Sequence, residues 1–313
     1  MKLNLPLAMG ILIFCSAQCR AVSFTLDSGG VFTPFDFDYP GTITTHAFGI
    51  NDAGQIVGTY ITGSGDHHGF IKDGMNFTSI DNPVATGGTY AKGINDLGQI
   101  VGYYFGPEVA GSGPWHGYLK DGADFTSLNY PGGGYTLALD IDDRGQIVGM
   151  LIRRPEVPHG FIKDASGFAT IDYPGPNLGT AAYSINSNGQ IVGSYTSLDF
   201  KAHGFIKDGA NFISFDYPGA THTYPYGIND AGQIVGTYFS LSGSYHGFLK
   251  DGPNFISIDY PGASTTEVHG INNRGQIVGF ATVPEPSTLM LFAAATVLFG
   301  GCYRARFGRS AQR

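Results

Sequence analysis

Between residues 22 and 282 the chain contains no cysteine; its three cysteines are Cys15, Cys19 and Cys302. That absence excludes a disulfide framework for the stretch, and a cysteine nucleophile with it, so packing alone must hold it together. Charge is scarce at 13% of 313 residues, and basic charge scarcer still, since residues 22–282 hold 11 Lys and Arg against 24 Asp and Glu, a net charge of −13. A surface of that sign repels phosphate backbones and anionic membranes, which argues against nucleic acid as a partner. No Gly-x-Ser-x-Gly elbow occurs, and no other catalytic constellation is legible. In place of these the chain has 48 Gly, 17 Pro and 13% aromatic residues. So many turn-formers beside so much core material point to short strands joined by tight turns.

The pentapeptide Gly-Gln-Ile-Val-Gly begins at Gly54, Gly98, Gly145, Gly189, Gly232 and Gly275, at spacings of 44, 47, 44, 43 and 43 residues. Around it the unit reads His-Gly-Phe-x-Lys-Asp-Gly, then an Asp-Tyr-Pro element, then Thr-x-x-x-Gly-Ile-Asn-Asp-x-Gly. Asp-Tyr-Pro starts at Asp38, Asp172, Asp216 and Asp259, with Asp81-Asn82-Pro83 and Asn129-Tyr130-Pro131 as variants. A threonine stands four residues before the Gly-Ile position in every unit: Thr45, Thr89, Thr136, Thr180, Thr223 and Thr266. In the fifth unit the strand-length runs are 204–207, 212–216, 223–228 and 233–238, separated by Asp208-Gly209, Pro218-Gly219 and Asn229-Asp230-Ala231-Gly232. Four antiparallel strands in about 43 residues make one blade, so residues 22–282 are predicted to form an all-β, six-bladed β-propeller. The alternative is an open β-solenoid, which would need polar caps that are not visible at either end.

The two ends read as targeting segments. Met1-Lys2, an apolar run from about Leu3 to Phe14 and small or polar residues up to Ala21 predict a signal peptide over 1–21, cleaved after Ala21 or else after Ala17. Phe14 and Gln18 are too large to precede a lipidated Cys15 or Cys19. The chain ends on Pro284-Glu285-Pro286, an uncharged run of 16 residues from Thr288 to Tyr303, and Arg304, Arg306, Arg309 and Arg313. This run is expected to form a transmembrane helix whose arginines stay cytoplasmic. Residues 283–313 resemble the PEP-CTERM sorting signal of Gram-negative bacteria. The resemblance implies processing by an exosortase, a transient membrane anchor and delivery to the cell envelope or extracellular matrix. An unprocessed tail anchor is the alternative. The repeat in turn resembles the HAF-type extracellular repeats, through His68-Gly69-Phe70, His116-Gly117-Tyr118, His159-Gly160-Phe161, His203-Gly204-Phe205 and His246-Gly247-Phe248. That resemblance implies an exported setting and no particular activity.

Several residue sets invite chemistry. The five repeated histidines, His68, His116, His159, His203 and His246, would form a ring too wide for a shared metal, which leaves a hydrogen bond between strands in each blade. The Asn-Asp-x-Gly loops suit calcium as a candidate stabiliser, but Asp52, Asp96, Asp143 and Asp230 give way to Ser187 and Asn273, an exchange that turn chemistry accepts more readily than a hard cation does. No other cofactor is expected. Glu108, Glu156 and Glu267 are acids outside the repeat and are expected in solvated loops. Scaffold positions recur in every unit, whereas ligand-facing ones are free to differ. In the strand ahead of Gly-Ile the differing positions alternate, and they place His46, Phe48, Tyr90, Lys92, Tyr224, Tyr226 and His269 on one face. Those seven are the candidate binding residues, and packing between blades is the competing account of them. The functional expectation is an exported, non-catalytic propeller, structural or ligand-binding, associated with exopolysaccharide. The alternative is a propeller enzyme, a glycoside hydrolase or lyase acting on polysaccharide.

Overall fold

The computed structural model describes residues 19–37, 41–108, 114–153 and 155–284. These contain 24 strands in six four-stranded antiparallel sheets, and no helix occurs among the described residues. The β-propeller expected from the repeat is the fold observed. Its compact body is Ala21–Thr282; a second unit takes in Met1–Arg20 and Val283–Arg313, of which only residues 19–20 and 283–284 are described. The signal peptide up to residue 18, Glu285, Pro286 and the apolar run Thr288–Tyr303 therefore lie outside the described residues.

Blade I consists, from the axis outwards, of Thr42–Ile50, Ile56–Thr62, His67–Asp73 and Asn76–Ile80. The inner strands of blades II to V are Gly88–Ile94, Tyr135–Ile141, Thr180–Ile185 and His222–Ile228. Blade VI is composite, with Thr265–Ile271 and Ile277–Pro284 inside and the N-terminal Cys19–Leu26 and Phe32–Phe35 outside. One expectation is corrected here. A sequence unit is not a blade, because Ala202–Asp208 and Asn211–Phe215 complete blade IV while His222–Ile228 and Ile234–Phe239 open blade V. The cause lies in the connections: Asp-Gly and Asn-Asp-x-Gly turn hairpins within a blade, whereas Asp-Tyr-Pro-Gly carries the chain across to the next.

Each invariant residue of the unit has a physical task. The first Gly of the pentapeptide sits at φ 74 to 84 in all six copies, a left-handed turn that glycine enters without steric cost. Ile and Val behind it fill the core; Ile56, Val57, Ile100, Val101, Ile147 and Val148 are all at most 3% exposed. The last Gly is forced by crowding, since a Cβ on Gly58 would meet the His46 carbonyl at 2.1 Å and the Phe70 ring at 2.6 Å. The six threonines hold the crossovers. Their Oγ1 atoms accept backbone N–H bonds from Phe37, Asn82, Tyr130, Tyr173, Tyr217 and Tyr260 at 2.9–3.1 Å. In the first crossover the place of the tyrosine is thus taken by Phe37, two residues earlier than the Asp38 motif implies; Asp38 lies outside the described residues.

Candidate functional site at the propeller axis

The inner strands bring three layers of side chains to the axis. At one mouth lie the hairpin loops, where each Asn side chain donates from Nδ2 to the Asn or Asp backbone carbonyl of the next blade: Asn51 to Asn95, Asn95 to Asp142, Asn186 to Asn229, Asn229 to Asn272, and Asn272 to Asn51, all at 3.0–3.2 Å. A parallel set uses the next residue. The backbone N–H groups of Asp52, Asp96, Ser187, Asp230 and Asn273 donate to Oδ1 of Asp96, Asp143, Asp230, Asn273 and Asp52 at 2.7–2.8 Å. The carboxylates considered for calcium are therefore engaged in stapling blade to blade. No group of three or more His, Cys, Asp or Glu among the described residues is placed to hold a metal ion.

Both sets skip one interface, between blades III and IV, where Asp142 has no donor to offer. Its fully buried carboxylate pairs instead with Arg144 at 3.0 Å. A different bond takes over. Asp140 and Ser184 stand where four other blades have Gly, and Ser184 Oγ donates to Asp140 Oδ2 at 2.5 Å, as does the Ile185 N–H at 3.1 Å. Burial pushes the Asp140 carboxyl up to about 6, with these hydrogen bonds opposing and the Asp142 charge adding to the rise.

The middle layer comes from a β-bulge in every inner strand, which skips Phe48, Lys92, Leu139, Tyr183, Tyr226 and His269 in the pairing register. These side chains form a belt across the axis. The Lys92 ammonium lies 3.2 Å from the Phe48 ring centroid, Phe48 meets His269 edge-on at 5.0 Å, His269 stacks on Tyr226 at 4.5 Å, and Tyr226 meets Tyr183 at 5.0 Å. Burial draws the Lys92 amine down to about 7, against the pull of Glu267. Burial likewise lowers His269, whose Nε2 has no hydrogen-bond partner and stands 3.6 Å from Glu267 Oε2. Between belt and loops is a cavity of about 100 Å³. It has room for a few waters and not for a sugar, which asks for several hundred.

The third layer, towards the opposite mouth, carries His46, Tyr90, Leu137, Ala181, Tyr224 and Glu267. His46 stacks on Phe280 at 4.2 Å, and burial, followed by Lys92, His269 and His67, lowers it to about 3. Tyr90 stacks on Tyr103 at 4.9 Å, and Trp115 meets Tyr103 and Phe105 edge-on. Thus the seven candidate residues share the axial face, but only Phe48, Lys92, Tyr226 and His269 belong to the belt; His46, Tyr90 and Tyr224 form the layer above it. All seven are half-buried; Phe48, Lys92, Tyr226, His269 and His46 also contact rings of neighbouring blades, and the residues between them, such as Ala47, Ala91 and Val268, are fully buried. The acids divide too. Glu108 and Glu156 are exposed, the latter 3.8 Å from Arg153, whereas Glu267 corrects the loop expectation by lying on an inner strand with 27% of its side chain exposed. The repeated histidines bond through Nδ1 to Asp81, Asn129, Asp172, Asp216 and Asp259 at 2.6–2.9 Å, tying the third strand of blades I to V to the crossover that follows.

Residues 282–306 match the PEP-CTERM protein-sorting motif, which implies an exported protein and makes the C-terminus a substrate signal for exosortase-type processing. No curated protein matches the chain. Among solved structures, a protein assigned as TolB from Agrobacterium tumefaciens is similar at 11% identity and TM-score 0.62, covering 85% of this chain and 99% of its own. TolB from Acinetobacter baumannii is similar at 12% identity and TM-score 0.52, covering 85% and 65%. The SapL1 lectin in complex with alpha methyl fucoside is similar at 15% identity and TM-score 0.50, covering 77% and 97%. At such identities the likeness is one of fold.

The Asp140 bond has a pH signature. Because its folded pKa is raised, the unfolded chain ionises first as pH climbs, so the fold loses stability between about pH 4 and 6 and stays lower above that range. The loss from this group is about 2–3 kcal/mol. Asp140→Asn, which cannot ionise, should flatten that part of the profile in urea denaturation midpoints taken across the pH range. Parallel profiles for the two proteins would remove Asp140 from the seam.

Proposed function

We propose that this protein is an exported, non-catalytic propeller of the envelope or extracellular matrix that binds exopolysaccharide on the side of its axis facing away from the Asn-Asp loops. The carrying observation is the contrast between layers: the stapling residues recur blade after blade, while the third layer varies from His46, Tyr90 and Tyr224 to Leu137, Ala181 and Glu267. Flat aromatic faces such as Tyr90, Trp115 and Tyr224, beside a few polar groups, suit stacking on sugar rings with hydrogen bonds to their hydroxyls. An exported destination supplies the polymer. That the similar SapL1 lectin is in complex with alpha methyl fucoside is in keeping with this reading. The exosortase is the expected processing partner.

One observation favours the enzymatic alternative, namely Glu267 facing the axis beside His269. Glycoside hydrolysis by the common route uses two carboxylates about 5–9.5 Å apart. The near contact that Glu267 makes is the His269 imidazole at 3.6 Å, which is not the second carboxylate that this route needs. Binding is therefore the better supported reading.

Tyr224→Ala is expected to lower retention on immobilised exopolysaccharide about 2- to 10-fold, the effect of one lost aromatic contact. The melting temperature should move little, since Tyr224 stands above the belt. A melting shift of several degrees with unchanged retention would assign the residue to packing. Separately, intact-mass measurement of protein recovered from cells that carry an exosortase should show a C-terminus near Pro286, and a mature form retaining Arg313 would refute processing.

A further inference from the structure

On the face away from the Asn-Asp loops, the second and third strands of blades I to V are joined by a loop. In blades I, IV and V this loop closes with one repeated backbone bond: Gly65 to Thr62 at 2.8 Å, Phe200 to Ser197 at 2.9 Å, and Gly243 to Ser240 at 3.1 Å. The closing residue takes φ 89, 65 and 87 in turn. Glycine adopts that left-handed conformation freely, but a phenylalanine Cβ is crowded in it. Phe200 is the one non-glycine residue at positive φ among the described residues. Burial does not offset the strain, because Phe200 is 63% exposed. Leu198 beside it is 61% exposed, and Leu241, at the matching place in blade V, 83%.

The loop adjoins the third axial layer. The Ala202 N–H donates to His222 Nδ1 at 3.0 Å, the His222 ring stacks with Tyr224 at 6.2 Å, and both Lys201 and Asp199 act electrostatically on His222. Neither turn geometry nor packing accounts for a phenyl ring at a place where two sister blades use glycine, and strain of this kind clusters where a side chain has a task.

We propose that Phe200 is a sugar-stacking platform that extends the polysaccharide-binding face outwards between blades IV and V; this rests on the polysaccharide reading above. The chemistry around it favours a saccharide over a protein partner. Three separated apolar side chains stand among Ser197, Ser240 and Ser242 and an Asp199 to Lys201 ion pair at 3.0 Å. They fall well short of the roughly 800 Å² per partner that a stable protein interface buries. A pyranose needs one aromatic face with hydroxyl and charged partners at its edge, and the loop presents that set.

The test replaces Phe200 with the residue of its sister loops. Phe200→Gly should leave the melting temperature of the exported protein unchanged or raise it by about 1–3 °C, since the strain is relieved. Retention on immobilised extracellular polysaccharide from the producing strain should fall about 2- to 10-fold. Phe200→Trp should restore it. Equal retention of wild type and Phe200→Gly would overturn this proposal and leave the binding reading standing. A wild type not retained at all would overturn the binding reading and this one with it. A lower melting temperature with unchanged retention would make Phe200 structural, and loss of self-association or of a protein partner with unchanged retention would assign the ring to a protein contact.

Discussion

At the axis four of the six inner strands approach a neighbour more closely than a side chain allows. A Cβ added to Gly49, Gly227 or Gly270 would lie 2.7 Å from the backbone carbonyl of the neighbouring inner strand, and one on Gly93 would lie 2.7 Å from the Cα of Asp140. Glycine at this position sets the width of the ring. The strands being so close, the asparagine two residues on can reach the next blade's carbonyl, and in the blade VI to blade I contact that bond spans 221 residues of sequence. Closure therefore rests on short polar bonds at the axis together with the N-terminal strands that complete blade VI. Because buried amides cost about 1–3 kcal/mol when left unpaired, the staples cannot be lost singly without consequence.

The departure from this pattern in blades III and IV is of one piece. Asp142 removes a donor, Ser187 removes an acceptor, and Asp140 with Ser184 supplies the replacement across the same interface. The exchange puts an ionisable group at a position that is glycine in four blades. Above the staples the bulge belt lies across the axis, so that the two mouths are chemically distinct, one acidic and loop-lined, the other carrying the varied third layer with Tyr90 and Tyr224. The proposed ligand face is the second, where a scaffold under tight steric control presents residues that are not under it.

Much of the fold was legible because period and spacing carry it. Six pentapeptides at 43 to 47 residues count the blades, and the six threonines mark the crossovers that they do in fact hold. The phase of the blades was not legible, since a repeat has no intrinsic starting point and only the pairing of Cys19–Leu26 into blade VI decides it. Nor was the bulge: strict alternation puts His46 and Phe48 on one face, and only the skipped residue in the register separates them into belt and outer layer. The stapling asparagines were read as turn residues, which they also are. A signal was present, because Asn at five of six copies is stricter than a turn requires. Phe200 could have been found the same way, by setting its loop against those of Gly65 and Gly243.

A closed, stapled ring makes a sharp thermodynamic claim, because no blade can leave without breaking staples on both sides. Differential scanning calorimetry of the exported protein tests it most directly, and residues 22–282 contribute no thiol to the measurement. The structure predicts a single transition whose van't Hoff enthalpy equals the calorimetric one. A broad transition with a van't Hoff enthalpy several-fold smaller, as for repeats that unfold one after another, would contradict it.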